Sequence, residues 1–359
     1  MFKDHIKTGK RRALFLISMS LVLVFMLSSF CVVPISALSG ERSYKGDEVI
    51  LGGMPFGVKF STEGVVVLGF SDIDGVSKTQ NPAYVAGIRP KDIIIKVNGK
   101  AITGAEELSS HVEASEGREI TLTYKRGGSE KTVRLKPVYS TAECRYKTGI
   151  WVKDSGAGIG TVTYIMPNDY SFGGLGHGIC DGETGELICM RGGDVMNVTV
   201  NAVKKGVSGA PGELKGYFDT VKIGSLESNT ECGIFGRFSS LPKGCGERIK
   251  VGTRDEIKEG AAQMVCTLSN GVKGKYNIEI SAINREANGS KCFVIKVKDE
   301  SLISQSGGIV QGMSGSPIIQ NGKIVGAVTH VLINDPTTGY GIFIENMLNS
   351  ANIPMAKAS

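Results

Sequence analysis

Between Gly307 and Val331 the chain reads GGIVQGMSGSPIIQNGKIVGAVTHV. Gly312-Met313-Ser314-Gly315 lifts a serine hydroxyl to the crest of a tight turn, and the glycines let backbone N–H groups converge beside it. Acyl transfer needs that pairing of a nucleophilic oxygen with donors, here the N–H groups of Gly312 and Ser314, aimed at a developing oxyanion. Pro317 stiffens the exit, and two β-runs, PIIQ and KIVGAVTHV, flank Asn321-Gly322 as a hairpin.

A serine nucleophile needs a base, and histidine suits because it titrates near neutrality. The chain offers His5, His111, His177 and His330. His5 precedes a long apolar run, and His111 falls late in a helix of an N-terminal module, where a surface position is expected. His330 ends the strand after the nucleophile hairpin and reads as pocket lining or core. His177, in SFGGLGHGICD, sits among glycines that permit close approach and precedes Ser314. Elimination selects His177. The carboxylate that would orient it stays open on spacing alone. Asp181 suits a local turn, Asp335 opens the loop DPTTGYG and reads as turn chemistry, and Asp299 follows the strand CFVIKV.

These residues need a scaffold of tight turns, and the composition supplies one. Of 359 residues 49 are glycine, about twice the usual share, without a three-residue period. With 41% hydrophobic and 21% charged residues the chain is neither disordered nor low in complexity. The expected class is mostly β, with two domains on size. The net charge of +6 is concentrated in residues 1–12, where Lys3, Lys7, Lys10, Arg11 and Arg12 face only Asp4. The remainder carries +2, so no basic stripe marks a nucleic-acid partner. Eight cysteines show no CxxC pair between Cys180 and Cys189 or between Cys232 and Cys245, so no metal or cofactor is expected. Cys31 lies in the apolar run and seven cysteines remain beyond it, an odd number that reads first as small buried residues.

Residues 13–38 carry no charge, a length that crosses the hydrocarbon core of a bilayer as a helix. The basic head at 1–12 places the N-terminus inside and the body outside, with 39–49 as linker. The segment is expected to be a transmembrane or signal-anchor helix, retained or later released by cleavage.

Residues 50–137 read as a small α+β module. GVVVLGF (64–70) and DIIIKV (92–97) are β-runs, Asn98-Gly99 is a tight turn, and Thr103 with Glu106 forms a capping box ahead of Leu108 and Val112. EITLTYK and KTVRLKPV flank Gly127-Gly128 as a hairpin. PAYVAGIRPKDIIIKVNG, from Pro82 to Gly99, resembles the centre of a PDZ domain, and GGMPFGVKF (52–60) sits where that family holds its carboxylate-binding loop and receiving strand. Phe56, Gly57 and Val58 are therefore the expected peptide-binding residues.

The region 138–359 is expected to be the peptidase domain, for the Ser314 turn resembles the GxSGxP block of trypsin-like serine peptidases, with Ser316 at a position more often glycine. The exported chain as a whole resembles the SpoIVB peptidases of endospore-forming bacteria. The carrying pieces are GIWVKDSGAGIGTVTYI (149–165), GGLGHGICD, ECGIFG (231–236), GGIVQGMSGSPI and GYGIFIENML (339–348). The resemblance implies His177 as base, Asp299 as orienting acid and Ser314 as nucleophile. It also implies a fold: a PDZ domain followed by a trypsin-like β-barrel peptidase domain. Further, it implies a peptidase that enters the space between forespore and mother cell and cuts itself near its N-terminus. It would then cleave the exposed part of a membrane regulator, freeing an intramembrane protease to mature a late sigma factor. The PDZ ligand would be its own cut segment or a partner. Two other readings stay open: a catalytically silent PDZ scaffold, and a broad-specificity quality-control peptidase.

Overall fold

The computed structural model describes residues 44–74, 79–182, 185–269 and 271–351. The expected membrane segment at 13–38 lies outside the described residues; among the described residues no helix is long and apolar enough to cross a membrane.

Two closed antiparallel rings of strands form the body. In the first, Pro55–Phe70 pairs with Ile150–Ile165 on one edge and Met190–Lys204 on the other, and Glu213–Thr230, Gly233–Phe238 and Ser171–Gly174 complete the circuit. In the second, Gly260–Thr267, Lys273–Ser281, Phe293–Val297, Asp335–Phe343, Lys323–Leu332 and Pro317–Gln320 close in that order. Closure pairs most of the strand edges in each ring, which is how all-β domains limit edge-to-edge association, although Ala157–Ile159 pairs only with the Pro55–Phe70 side. Each ring surrounds an apolar core. Phe56, Val58, Val162, Phe172, Val195 and Ile234 fill the first, and Met264, Ile280, Ile295, Ile318 and Val328 lie in the larger cluster of the second. Glu48–Leu51 bridges them, pairing with Ile150–Ile165 and with Arg248–Val251.

The PDZ module is inserted in the first barrel rather than placed before it. Pro55–Phe70 is one continuous strand whose first half lies in the barrel; its second half pairs at Val65 and Val66 with Ile93–Val97. Ile150–Ile165 returns alongside, pairing Ile150–Lys153 with the PDZ end and Ser155–Thr161 with the barrel end. The PDZ core, from Val65 to Leu135, is a separate cluster containing Ile94, Leu108, Val112 and Leu122. Of the expected linker at 39–49, residues 39–43 lie outside the described residues, and the first residues of the expected PDZ unit at 50–137 are shared with the barrels. Strands Glu48–Leu51 and the first half of Pro55–Phe70 belong to the peptidase barrels, because their alternating apolar side chains, Phe56, Val58 and Phe60, are buried in the barrel core.

The turn chemistry expected from sequence is realised. Asn98-Gly99, Gly127-Gly128 and Asn321-Gly322 all have positive φ at both central positions, the geometry of tight hairpins. Helix Ala105–Glu113 buries Leu108 and Val112. Its cap differs from the expected Thr103–Glu106 box: Gly104 is the N-cap residue, the Glu107 carboxylate reaches back to the Thr103 N–H at 2.6 Å, and Asp154 accepts from the Ala105 N–H.

Candidate active site

Ser314 stands on the loop before Pro317–Gln320, at the rim of the second barrel, and His177 on the loop after Ser171–Gly174, at the rim of the first. Both line one open cleft of about 1370 Å³, together with Gly156–Gly160, Gln311, Gly312, Asp181 and His330. Thr161 binds the two loops to one another. Its N–H donates to the Ser314 carbonyl (2.9 Å), its hydroxyl to the Gly312 carbonyl (2.8 Å), and its own carbonyl accepts from the Leu175 N–H (3.2 Å). The approach is too close for side chains at the crossing points. A Cβ on Gly315, which has φ +93, would sit 2.0 Å from the Thr161 carbonyl oxygen, and one on Gly176, with φ +68, 2.9 Å from Thr329.

The histidine has a defined tautomer. Its Nδ1 lies 2.8 Å from the Gly178 carbonyl oxygen, and a carbonyl can only accept, so the proton sits on Nδ1 and the lone pair on Nε2. Burial holds its pKa below the ordinary histidine value, partly opposed by the Gly178 bond, which favours the charged ring. The resting Ser314 hydroxyl donates to the Thr329 carbonyl at 2.8 Å. Among the described residues the N–H groups of Gly312 and Ser314 make no intramolecular hydrogen bond, whereas those of Met313, Gly315 and Ser316 are all spent within the fold. Two backbone donors beside the Ser314 hydroxyl thus remain unspent.

Asp299 is not brought to this pair. It is the N-cap of helix Glu300–Ser306: Oδ1 accepts from the N–H groups of Ser301 and Leu302, and Oδ2 from that of Asn277. The carboxylate is consumed by backbone donors and does not line the cleft. The role of orienting acid carried over from the family is therefore corrected for this structure, where the Gly178 carbonyl sets the tautomer. Asp335 has the turn role expected of it, accepting from the Thr337 N–H and from the hydroxyls of Thr337 and Thr338.

The expected PDZ peptide site is also corrected. Phe56, Gly57 and Val58 are buried, and both edges of that strand are taken, by Gly158–Gly160 on one side and Val195–Asn197 on the other. No extended ligand can add there.

Asn229 is a positioning residue that carries no signature in the sequence. Its Oδ1 accepts from the Ile179 N–H at 2.8 Å, while Nδ2 donates to the carbonyls of Ile179 and Ile188, both at 2.9 Å. It clamps the hairpin that follows His177, and nothing in LESNTE distinguishes it from any polar strand residue. His330 lines the cleft, its ring 4.7 Å from that of His177; among the described residues its buried Nδ1 has no hydrogen-bond partner.

A glycine-turn serine and a histidine lining one cleft at the rims of two six-stranded barrels fit the serine-peptidase class. The SpoIVB peptidase S55 family model matches residues 144–348 and a PDZ model residues 52–136, the latter beginning inside the shared barrel strand. The chain belongs to the SpoIVB peptidase S55 family. It is 52% identical over 58 residues to a probable CtpA-like serine protease of Staphylococcus aureus (strain COL), 16% of this chain and 12% of the relative. A protein of the same description in Staphylococcus saprophyticus is 44% identical over 59 residues, 16% of this chain. The chain thus spans 12% of the length of the curated relatives it matches. Among solved structures it is similar to the Rv3671c protease of M. tuberculosis, at 14% identity and TM-score 0.32 over 57% of this chain and 76% of that one. It is also similar to the PDZ domain of an SdrC-like protein from Listeria monocytogenes, at 16% identity and TM-score 0.21 over 25% and 87%.

Proposed function

We propose that this chain is a serine endopeptidase of sporulation signalling, with Ser314 as nucleophile and His177 as general base. The Ser314 hydroxyl turns from the Thr329 carbonyl toward His177 Nε2, gives up its proton there, and attacks the scissile carbonyl. The oxyanion is received by the N–H groups of Gly312 and Ser314, and the leaving amine takes the proton back from His177. Water then hydrolyses the acyl-enzyme by the same route. No metal or cofactor enters these steps. The observation that carries the reading is the placement of Ser314, its two unspent donors and a histidine with its lone pair on Nε2 in one cleft.

Family membership supports the finer reading. The body is exported and tethered by residues 13–38 or released from them, acts between forespore and mother cell, and cuts itself near its N-terminus. Its target is the exposed part of a membrane regulator that restrains an intramembrane protease maturing a late sigma factor.

A fluorophosphonate probe should label the purified protein but not Ser314→Ala or His177→Ala; labelling of Ser314→Ala would end the assignment. In an endospore-forming host, replacing the native gene with Ser314→Ala should block maturation of the late sigma factor, and normal maturation would remove the sporulation role.

A further inference from the structure

The long hairpin of Met190–Lys204 and Glu213–Thr230 outruns the barrel that it helps to close. Met190–Asn197 pairs with Pro55–Phe70, and Gly224–Thr230 with Gly233–Phe238. Between these, Val198–Lys204 and Glu213–Phe218 pair with one another and have no other strand partner among the described residues. This two-stranded arm crosses to the second barrel. Val198, Val200 and Leu214 are buried in the apolar cluster of that barrel, together with Val310 of the Ser314 loop. At the tip the Gly206 N–H donates to the Ser306 carbonyl at 2.8 Å and the Gly209 N–H to that of Ile333 at 2.9 Å. The Ser208 hydroxyl donates to the Asn334 carbonyl at 2.9 Å. The approach excludes side chains: a Cβ on Gly307, with φ +76, would lie 2.1 Å from the Gly206 carbonyl oxygen.

The contact that bears on chemistry is at Gln311. Its N–H donates to the Gly212 carbonyl at 2.9 Å, and its carbonyl accepts from the Leu214 N–H at 2.8 Å. The Gln311 carbonyl and the Gly312 N–H belong to one peptide unit, which is planar and trans. They therefore point in opposite directions. While Leu214 holds the carbonyl, the Gly312 N–H is turned away from the arm, and Gln311, Gly312 and Ser314 all line the cleft. Gly312 has φ +97 and no Cβ, so an unheld unit is free to rotate the other way. Rotated, it would present a carbonyl oxygen where an oxyanion has to sit.

We infer that the arm is the clamp that sets the oxyanion hole, with Leu214 as its positioning residue, acting through its backbone N–H. The inference rests on the serine-peptidase reading and deepens it. Ser314 and its own N–H come from the second barrel, but the orientation of the Gly312 donor is imposed from the first. Releasing the clamp leaves nucleophile and base in place and removes stabilisation of the transition state alone.

Leu214→Pro tests this. Leu214 lies opposite Val203, yet its N–H leaves the hairpin for Gln311, so proline deletes that bond and spares the ladder. Leu214→Val trims the same side chain and keeps the N–H. On unfolded, fluorescently labelled casein, Leu214→Pro should lose about 10²-fold in kcat, as when an oxyanion donor is removed, with KM little changed. Leu214→Val should keep most of the kcat of the unsubstituted protein. An undiminished kcat for Leu214→Pro, an equal fall in both variants, or a loss carried by KM overturns the inference and leaves the peptidase reading standing. Failure of the unsubstituted protein to react with a fluorophosphonate overturns that reading itself. Should Leu214→Pro fail to fold, hydrogen exchange on the unsubstituted protein decides. The Leu214 amide should exchange slowly, and the Gly312 amide fast until a phosphonyl group on Ser314 places an oxygen in the hole. A Leu214 amide that exchanges as fast as that of Gly312, or a Gly312 amide that ignores the phosphonyl group, overturns the clamp.

Discussion

The imidazole rings of His177 and His330 lie 4.7 Å apart, centroid to centroid, tilted by 36°. Two rings that close cannot both hold a proton cheaply, and burial acts on each in the same direction. His330 is pushed down to about 4, first by burial and then by the positive charge of His177 and Lys291. His177 is lowered by burial as well. At neutral pH both are uncharged, which leaves His177 Nε2 free to accept.

The first prediction concerns the acid limb of activity. Because the His177 pKa is held below its ordinary value, activity should persist below pH 6.5, where an exposed histidine would already be half protonated. His330→Asn removes a ring that shields His177 from water, so the limb should move to higher pH. A pH profile of fluorophosphonate labelling checks this, and an unmoved limb would show that His330 does not shield the base.

Stability should also depend on His330. In the unfolded chain it titrates near 6.5, in the folded one at about 4. The unfolded state therefore binds the extra proton first, and stability, fully present above pH 6.5, is lost as pH falls from there toward 4. Denaturant midpoints measured between pH 7 and 4.5 should fall less steeply for His330→Asn than for the unsubstituted protein. Parallel slopes would contradict the shift.

Asp299 offers a sharp contrast between two roles. As a helix N-cap, asparagine keeps the Oδ1 contacts to Ser301 and Leu302 and gives up the one to the Asn277 N–H, so Asp299→Asn should turn over like the unsubstituted protein, whereas Asp299→Ala loses all three contacts and should lose about 1 kcal/mol of stability or more. Were it the orienting acid of a triad, asparagine would cost on the order of 10⁴ in turnover. Steady-state rates of the two variants, set beside their melting temperatures, separate the cap from the catalyst.

Among the described residues the Tyr164 hydroxyl, buried in the packed interior near Gly173, has no hydrogen-bond partner, and burial raises its pKa strongly. A buried unsatisfied hydroxyl costs roughly 1–3 kcal/mol, so Tyr164→Phe should be more stable than the parent by about 1 kcal/mol. Chemical denaturation measures it; a loss of stability would mean that the hydroxyl has a bound water as partner.

Much of this protein was legible in the chain before folding. Positive-φ turns at Asn98-Gly99, Gly127-Gly128 and Asn321-Gly322 are written in residues that tolerate that backbone, and the Ser314 turn is carried by Gly312 and Gly315. These are local events, decided within four residues. Among only four histidines, His177 stands out by elimination. What the residues could not disclose was pairing at a distance. The alternating run Phe56, Val58, Phe60 fits a PDZ edge strand and a barrel strand equally well. Only the tertiary structure closed both its edges and threaded the PDZ unit into the barrel. Likewise an aspartate after a strand can orient a histidine or cap a helix, and the choice fell to the cap because three backbone donors lay within its reach. Chemistry carried by turns is local and survives in sequence; chemistry carried by neighbours across a sheet exists only once the barrels close.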